Sequence, residues 1–279
     1  MCWVGTAGTA LAQGAATPEP DEPRALHAQP RLILASESAT PGSTVDLGVT
    51  FTIEPGWHLY WNGKNDTGQP PKINLDLPPG VTAGPMLWPA PTRHVMAGDI
   101  IDHIYENKVT LIVPLTVGKD VRADQPLAIR AECSWLVCEK VCLLERGTSE
   151  VPLRVSADAA ASTAKVNAEV IEKARARVPR TLEPGSEGIE VRWGAGGVTP
   201  PTTLVILAKG ATALEFYPGL ECADLAEPIA DTRTETDHLR LRMASSQLDS
   251  QKAVTGVLAV WKGSSGGVAY YSIHAGRPR

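Results

Sequence analysis

Between Ser43 and Ile53 the chain alternates without a break. Val45, Leu47, Val49, Phe51 and Ile53 are apolar, and Asp46, Gly48, Thr50 and Thr52 stand between them. A period of two over this length predicts a strand with one face buried. β signals begin at Arg31 and continue past this run. Pro55-Gly56 breaks it, and Trp57–Trp61 resumes as a short aromatic strand before a polar loop over 62–71. Ile73, Leu75 and Leu77 alternate again; Val81–Trp88 follows, then a loop bearing Pro, His and Met that reaches Asp102. Lys108–Val117 reads as another strand, in which Pro114 predicts an edge or a bulge. Leu127–Glu132 and Ser149–Val155 close the series. Roughly seven or eight short strands at this spacing predict a β-sandwich.

Ser156–Val178 is different in kind, rich in Ala, Glu, Lys and Arg, with Val166, Val170 and Ala174 on one helical face. Ser156 is the expected N-cap and Pro179 the stop, which predicts a helix bridging two β regions. After a Pro- and Gly-bearing linker the strands return, at Ile189–Trp193, Thr203–Ala208, Leu214–Tyr217, Leu239–Met243, Val254–Trp261 and Val268–His274. The expected fold is all-β: a sandwich over 30–155, a linking α-helix over 156–180, and a second, smaller β-sandwich over 181–279. A length of 279 residues suits two such domains, and 23 Pro with 25 Gly suits short strands and many turns.

The formal charge of −5 and the lack of a basic run argue against a nucleic-acid partner. No run of apolar residues is long enough to give a transmembrane segment. Residues 1–29 read as a remnant signal peptide and disordered linker, since small apolar residues end in Ala10-Leu11-Ala12, although a basic start is lacking. A plain disordered tail is the other reading. Export would put the cysteines where disulfides persist.

Cys133, Cys138 and Cys142 crowd into Ala131–Gly147, while Cys2 and Cys222 lie far off. In an extended strand, Cys138 and Cys142 would be separated by about 13 Å, against roughly 4.4–6.8 Å for a disulfide. If they pair, Cys138–Cys142 must be a tight turn, a hairpin tip or one turn of helix. A structural disulfide, a redox pair and a zinc site all remain open from the spacing. Zinc would need a fourth ligand from a distant His. Lys140 favours a thiolate and Glu139 opposes it, so local charge does not choose the reactive sulfur.

The segment Trp135-Leu136-Val137-Cys138-Glu139-Lys140-Val141-Cys142 resembles the W-L-V-C-x-x-x-C signature of the periplasmic N-terminal domain of DsbD-type thiol:disulfide interchange proteins, in their ScsB-like branch. Gly56–Trp61 with Asp66-Thr67-Gly68, Trp88–Arg93, and Ile104-Tyr105-Glu106 resemble further motifs of that family, in the same order. Phe216-Tyr217-Pro218 resembles a recurring element of the branch's second domain. The resemblance implies an immunoglobulin-like domain in which Cys138 and Cys142 are the redox pair. It also implies a cap loop over roughly His94–Tyr105, bringing His94, Met96, Asp99, Tyr105 and Glu106 around the pair with Trp57, Tyr60, Trp61 and Trp135. It implies no cofactor and no metal. The implied partners are a separate membrane-embedded thiol reductase and periplasmic thioredoxin-like proteins, because the family's transmembrane and thioredoxin-like parts are not in this sequence. Cys133 departs from the pattern as a third thiol able to form an alternative bridge.

Two other readings compete. One is a non-catalytic exported β-sandwich adaptor with a structural disulfide. The other is a copper-handling module using His58, His94, His103, Met86 and Met96 beside the thiols. Trp57, Tyr60, Trp61 and Trp88 are expected to pack in the core and cap rather than to form a ligand platform, and Asp99, Asp102 and Glu106 are expected as solvated loop acids rather than as tuners of a thiol. Cys222 reads as a lone thiol. Nothing resembles a nucleotide loop or a Ser-His-Asp hydrolase.

Overall fold

The alternating run is β3 of a four-stranded sheet. In the computed structural model, residues 25–122, 126–157, 166–183, 185–194, 202–244, 252–263 and 267–277 are described. The signal-peptide reading, with Cys2, falls almost wholly outside them. The first part of the chain runs through β1 (Ala28–Leu34), β2 (Ser38–Ala39), β3 (Thr44–Ile53), β4 (His58–Tyr60), β5 (Lys72–Asp76) and β6 (Val81–Ala83). It continues with β7 (Thr92–Met96), β8 (Ile100–Glu106), β9 (Lys108–Val117), β10 (Pro126–Cys138) and β11 (Cys142–Val155). One sheet has the order β1-β3-β9-β6; the facing sheet runs β2-β11-β10-β4-β8-β7, with β5 also paired to β10. This is an immunoglobulin-like β-sandwich.

Its core follows from the alternation. Leu47, Val49 and Phe51 point inward from one sheet, Ile129, Cys133, Trp135 and Val137 from the other, and all are buried. Phe51 meets Trp135 edge to face at 5.2 Å. Burial of each such side chain stabilises the fold by about 1.5–3 kcal/mol. The Trp135 indole N–H is satisfied by Glu145 Oε2 at 3.1 Å. Glu145 also accepts the backbone N–H groups of His27 and Ala28, so this buried carboxylate is fully bonded.

Pro114 lies inside the sheet by strand order, yet its neighbour β6 has already ended at Ala83. The missing N–H therefore faces a place where no ladder partner is needed, and only the Pro114 carbonyl is used, by Gly84 N–H at 2.8 Å. The region expected as a loop up to Asp102 is instead a hairpin, β7–β8. Gly98 and Asp99 adopt positive φ in its turn, so the β-branched residues on either side can pair.

The linking helix is shorter than expected. Among the described residues it spans α1 (Ala168–Arg175), and Asn167 rather than Ser156 stands at its N-terminal boundary. Ser156 N–H instead bonds to Ala39 O, prolonging the β11 edge, and residues 158–165 of the expected helix lie outside the described residues. Ile171 and Ala174 cover Ile33 and Ile112, the outward-facing residues of β1 and β9. The helix thus lies on the outer face of the four-stranded sheet.

The rest comprises β12 (Arg180–Thr181), β13 (Ile189–Trp193), β14 (Thr203–Ala208), β15 (Ala211–Pro218), α2 (Pro228–Asp231) and β16 (Arg233–Thr234), then β17 (His238–Arg242), β18 (Val254–Lys262) and β19 (Gly267–Ala275). Sheets of order β12-β19-β18-β15-β16 and β13-β14-β17 enclose a second core around Phe216, Leu258, Leu204 and Leu241. The opposite face of the five-stranded sheet carries Tyr217, Val257, Ala259 and Tyr270 into the core of the first sandwich. Lys64 N–H bonds to Pro218 O at 2.9 Å, and the Arg93 guanidinium donates to Ile229 O at 2.6 Å. Lys64 and Asp224 form an ion pair beside them.

Candidate functional site

Strands β10 and β11 form a long antiparallel hairpin whose last pair is Cys138 opposite Cys142. Glu139-Lys140-Val141 makes the turn, so the tight turn required for a bridge is the hairpin tip itself. The two cysteines are joined in a disulfide, with Cα atoms 4.2 Å apart. The two sides of the bridge differ. Cys138 is buried against Tyr60, Ile104 and Leu136, whereas Cys142 is exposed. Val141 and Leu144, each 62% exposed, flank Cys142 and form an apolar collar in solvent.

Successive side chains on a strand point to opposite faces. On β4, Leu59 enters the sandwich core while His58 and Tyr60 face the disulfide side. On β8, Tyr105 enters the core and Asp102 and Ile104 face the disulfide side. The Tyr60 hydroxyl lies 3.6 Å from Cys142 Sγ and 3.1 Å from Thr67 Oγ1. Thr67 Oγ1 donates to Asp102 Oδ2 at 2.5 Å. Asp102 Oδ1 accepts the backbone N–H groups of Asp66 and Thr67 at 2.8 and 3.0 Å. Gly68 makes the loop's approach possible, since a Cβ there would fall 2.1 Å from the Tyr60 ring.

The same loop is fixed from its other side. Asn65 Oδ1 accepts His103 N–H at 2.7 Å, and the His103 ring bonds Lys64 O at 2.6 Å. His58 stands opposite Cys138 across the ladder, 5.4 Å from the ring of His94. Burial, aided by His94, lowers the pKa of His58, so its imidazole is neutral at pH 7.

The remaining candidates separate into those near the pair and those in the core. Tyr60 touches it, and His94 reaches it through His58. Met96 and Asp99 lie at the end of the β7–β8 hairpin, and Glu106 pairs with His58. Tyr105 is buried, its hydroxyl donating to Pro89 O at 2.5 Å. Trp61 and Trp135 are core residues, and Trp57 stacks on His27 at 3.7 Å. Asp102, expected among solvated loop acids, is fully buried. The motif Asp66-Thr67-Gly68 signalled its loop but not the contact of Thr67 with Tyr60.

Cys133 and Cys222 are free and buried. Burial pushes the Cys133 thiol up to about 11. Among the described residues, no group of three or more His, Cys, Asp or Glu is placed to hold a metal ion. No helix there is long and apolar enough to cross a membrane.

Residues 29–154 match the family described as thiol:disulfide interchange protein DsbD, N-terminal. The N-terminal periplasmic domain of ScsB from Proteus mirabilis is similar in fold, with a TM-score of 0.57 at 17% identity, covering 95% of this chain and 97% of that one. The N-terminal domain of DsbD from Neisseria meningitidis, in its reduced form, matches with a TM-score of 0.26 at 16% identity, over 43% of this chain and 81% of that one. No sequence among curated proteins matches. The part of this chain that carries Cys138 and Cys142, residues 29–154, is thus similar to the DsbD N-terminal thiol:disulfide interchange domains.

Proposed function

We propose that this chain is a periplasmic thiol–disulfide exchange protein that takes up and passes on reducing equivalents through Cys138 and Cys142. The observation that carries this reading is the asymmetry of the hairpin-tip disulfide, one sulfur-bearing residue exposed and the other buried. An incoming thiolate needs access to the sulfur it attacks, and Cys142 offers it. The partner's sulfur bonds to Cys142 Sγ, the S–S bond breaks, and its electron pair leaves on Cys138. A second thiolate of the partner then displaces Cys142, and the reduced pair and the partner's new disulfide separate. Run in reverse against another disulfide, the same steps deliver the two electrons onward.

In this reading, residues 30–155 are the redox domain, 156–180 the link and 181–279 an accessory sandwich docked on it. The donor is a separate membrane-embedded reductase and the acceptors are thioredoxin-like proteins. The collar of Val141 and Leu144 supports a partner surface that is itself apolar around its cysteines.

Trapping in a periplasmic extract tests this. Cys138→Ser leaves Cys142 to form a mixed disulfide that nothing in the chain resolves, so adducts accumulate. Cys142→Ser leaves only the buried sulfur and gives few. Absence of an adduct from both variants would contradict the proposal.

A further inference from the structure

The hydroxyls beside the disulfide have a direction. Asp102 is fully buried, and as a carboxylate it can only accept hydrogen bonds. Thr67 has one hydroxyl hydrogen, and it goes to Asp102 Oδ2 at 2.5 Å. The 3.1 Å bond between Tyr60 and Thr67 must then be donated by Tyr60. That uses the only hydrogen Tyr60 has, so what it turns toward Cys142 Sγ, 3.6 Å away, is an oxygen lone pair. A disulfide sulfur has no hydrogen to offer it, but a reduced Cys142 does.

We propose that Asp102, through Thr67, polarises Tyr60 into a hydrogen-bond acceptor that holds Cys142 of the reduced pair as a neutral thiol. Reduction adds two electrons from the partner dithiol and two protons to the pair. The proton on Cys142 then points at Tyr60, and the chain runs from thiol to phenol to Thr67 hydroxyl to carboxylate, each group donating to the next. Ionising Cys142 would require Tyr60 to turn its hydrogen back to the sulfur and abandon Thr67. Tyr60 itself stays a phenol, because burial raises its pKa. The thiolate is the form that oxidants attack, so this arrangement keeps the dithiol from being spent on chance encounters. Tyr60, Thr67 and Asp102 thus act as positioning residues.

Other titratable groups share this end of the sheet: His58 of β4, His94 of β7, Glu106 of β8, and Glu139 and Lys140 of the turn. Among the described residues, the Tyr60 hydroxyl is the polar group at hydrogen-bonding distance of Sγ. The loop that carries Thr67 is also held in place, by Asn65 and His103 on one side and by Pro218 on the other.

The inference rests on the exchange reading only in taking the pair to be reduced in service. Its test is the pH profile of iodoacetamide alkylation at Cys142 in the reduced full chain, mapped to the residue by mass spectrometry. Tyr60→Phe removes the acceptor, and the midpoint is expected to fall by about half to one pH unit. Thr67→Val frees the Tyr60 hydrogen to donate to the thiolate, so the midpoint falls at least as far, and Thr67→Ser leaves it at the wild-type value. A midpoint that rises or stays fixed in Tyr60→Phe would overturn the proposal, as would an unmoved midpoint in Thr67→Val. Because no partner takes part, such a failure is separate from failure of the mixed-disulfide trap.

Discussion

Cys133 and Cys138 lie on one strand, five residues apart, and face opposite sides of the sheet. An odd separation on a strand always does this. Cys133 enters the sandwich core with Trp135 and Val137, and Cys138 joins Tyr60 and Ile104 outside it. The third thiol therefore cannot bridge to the pair unless β10 slips its register, which would expel Trp135 from the core. Cys133→Ala is expected to cost about 1 kcal/mol in chemical denaturation, from lost burial. It should leave the reduction potential of Cys138/Cys142 unchanged; a shifted potential would mean that Cys133 takes part.

Glu145 sits on the core face of the same hairpin, directly opposite Trp135. It accepts from Trp135 Nε1 and from two backbone N–H groups of the β1 region. Glu145→Ala strands three donors in a buried place and is expected to cost about 2–4 kcal/mol. Urea denaturation measures this, and a loss below about 1 kcal/mol would mean that water replaces the carboxylate.

The junction between the two sandwiches contains a buried acid. Glu215 is 5% exposed, accepts from the Tyr217 hydroxyl at 3.0 Å and lies 3.7 Å from Arg93. Burial raises its pKa above the ordinary value, with Tyr217, Arg233 and Arg93 opposing the rise. A raised carboxyl contributes stability that is present below its unfolded pKa and lost as pH climbs through the folded one. Arg93→Ala removes one of the opposing charges, so the shift grows. The variant should lose about 2–3 kcal/mol at pH 7.5 and clearly less at a lower pH, once Glu215 has taken up a proton. Equal losses at both pH values would show that Arg93 acts only through its bond to Ile229 O.

Much of this fold was legible because its signals are local. Val45–Ile53 and Lys108–Val117 carry their period of two openly, and both form the strands they predict. The β7–β8 hairpin was hidden, since its pairing depends on positive φ at Gly98 and Asp99 rather than on alternation. The cysteine spacing required a turn, and the turn is there. Tyr60 stood out as an aromatic in a motif, but its relation to the disulfide needed three segments at once: β4, the loop at Thr67 and Asp102 on β8. Burial of Asp102 had no local sign, because an Asp beside Ile100-Ile101 reads the same in a loop as in a strand with its partners elsewhere. Tyr105 sits one residue from Ile104, and only the register of β8 decides which of the two faces the pair.

The reduction potential of Cys138/Cys142 in glutathione buffers tests the central claim most directly, with the fraction reduced read by alkylation and mass. An exchange pair should equilibrate with the buffer at a potential less negative than about −300 mV. A bridge that stays oxidised to potentials below that value would be a structural disulfide, which would contradict an exchange role for Cys138 and Cys142.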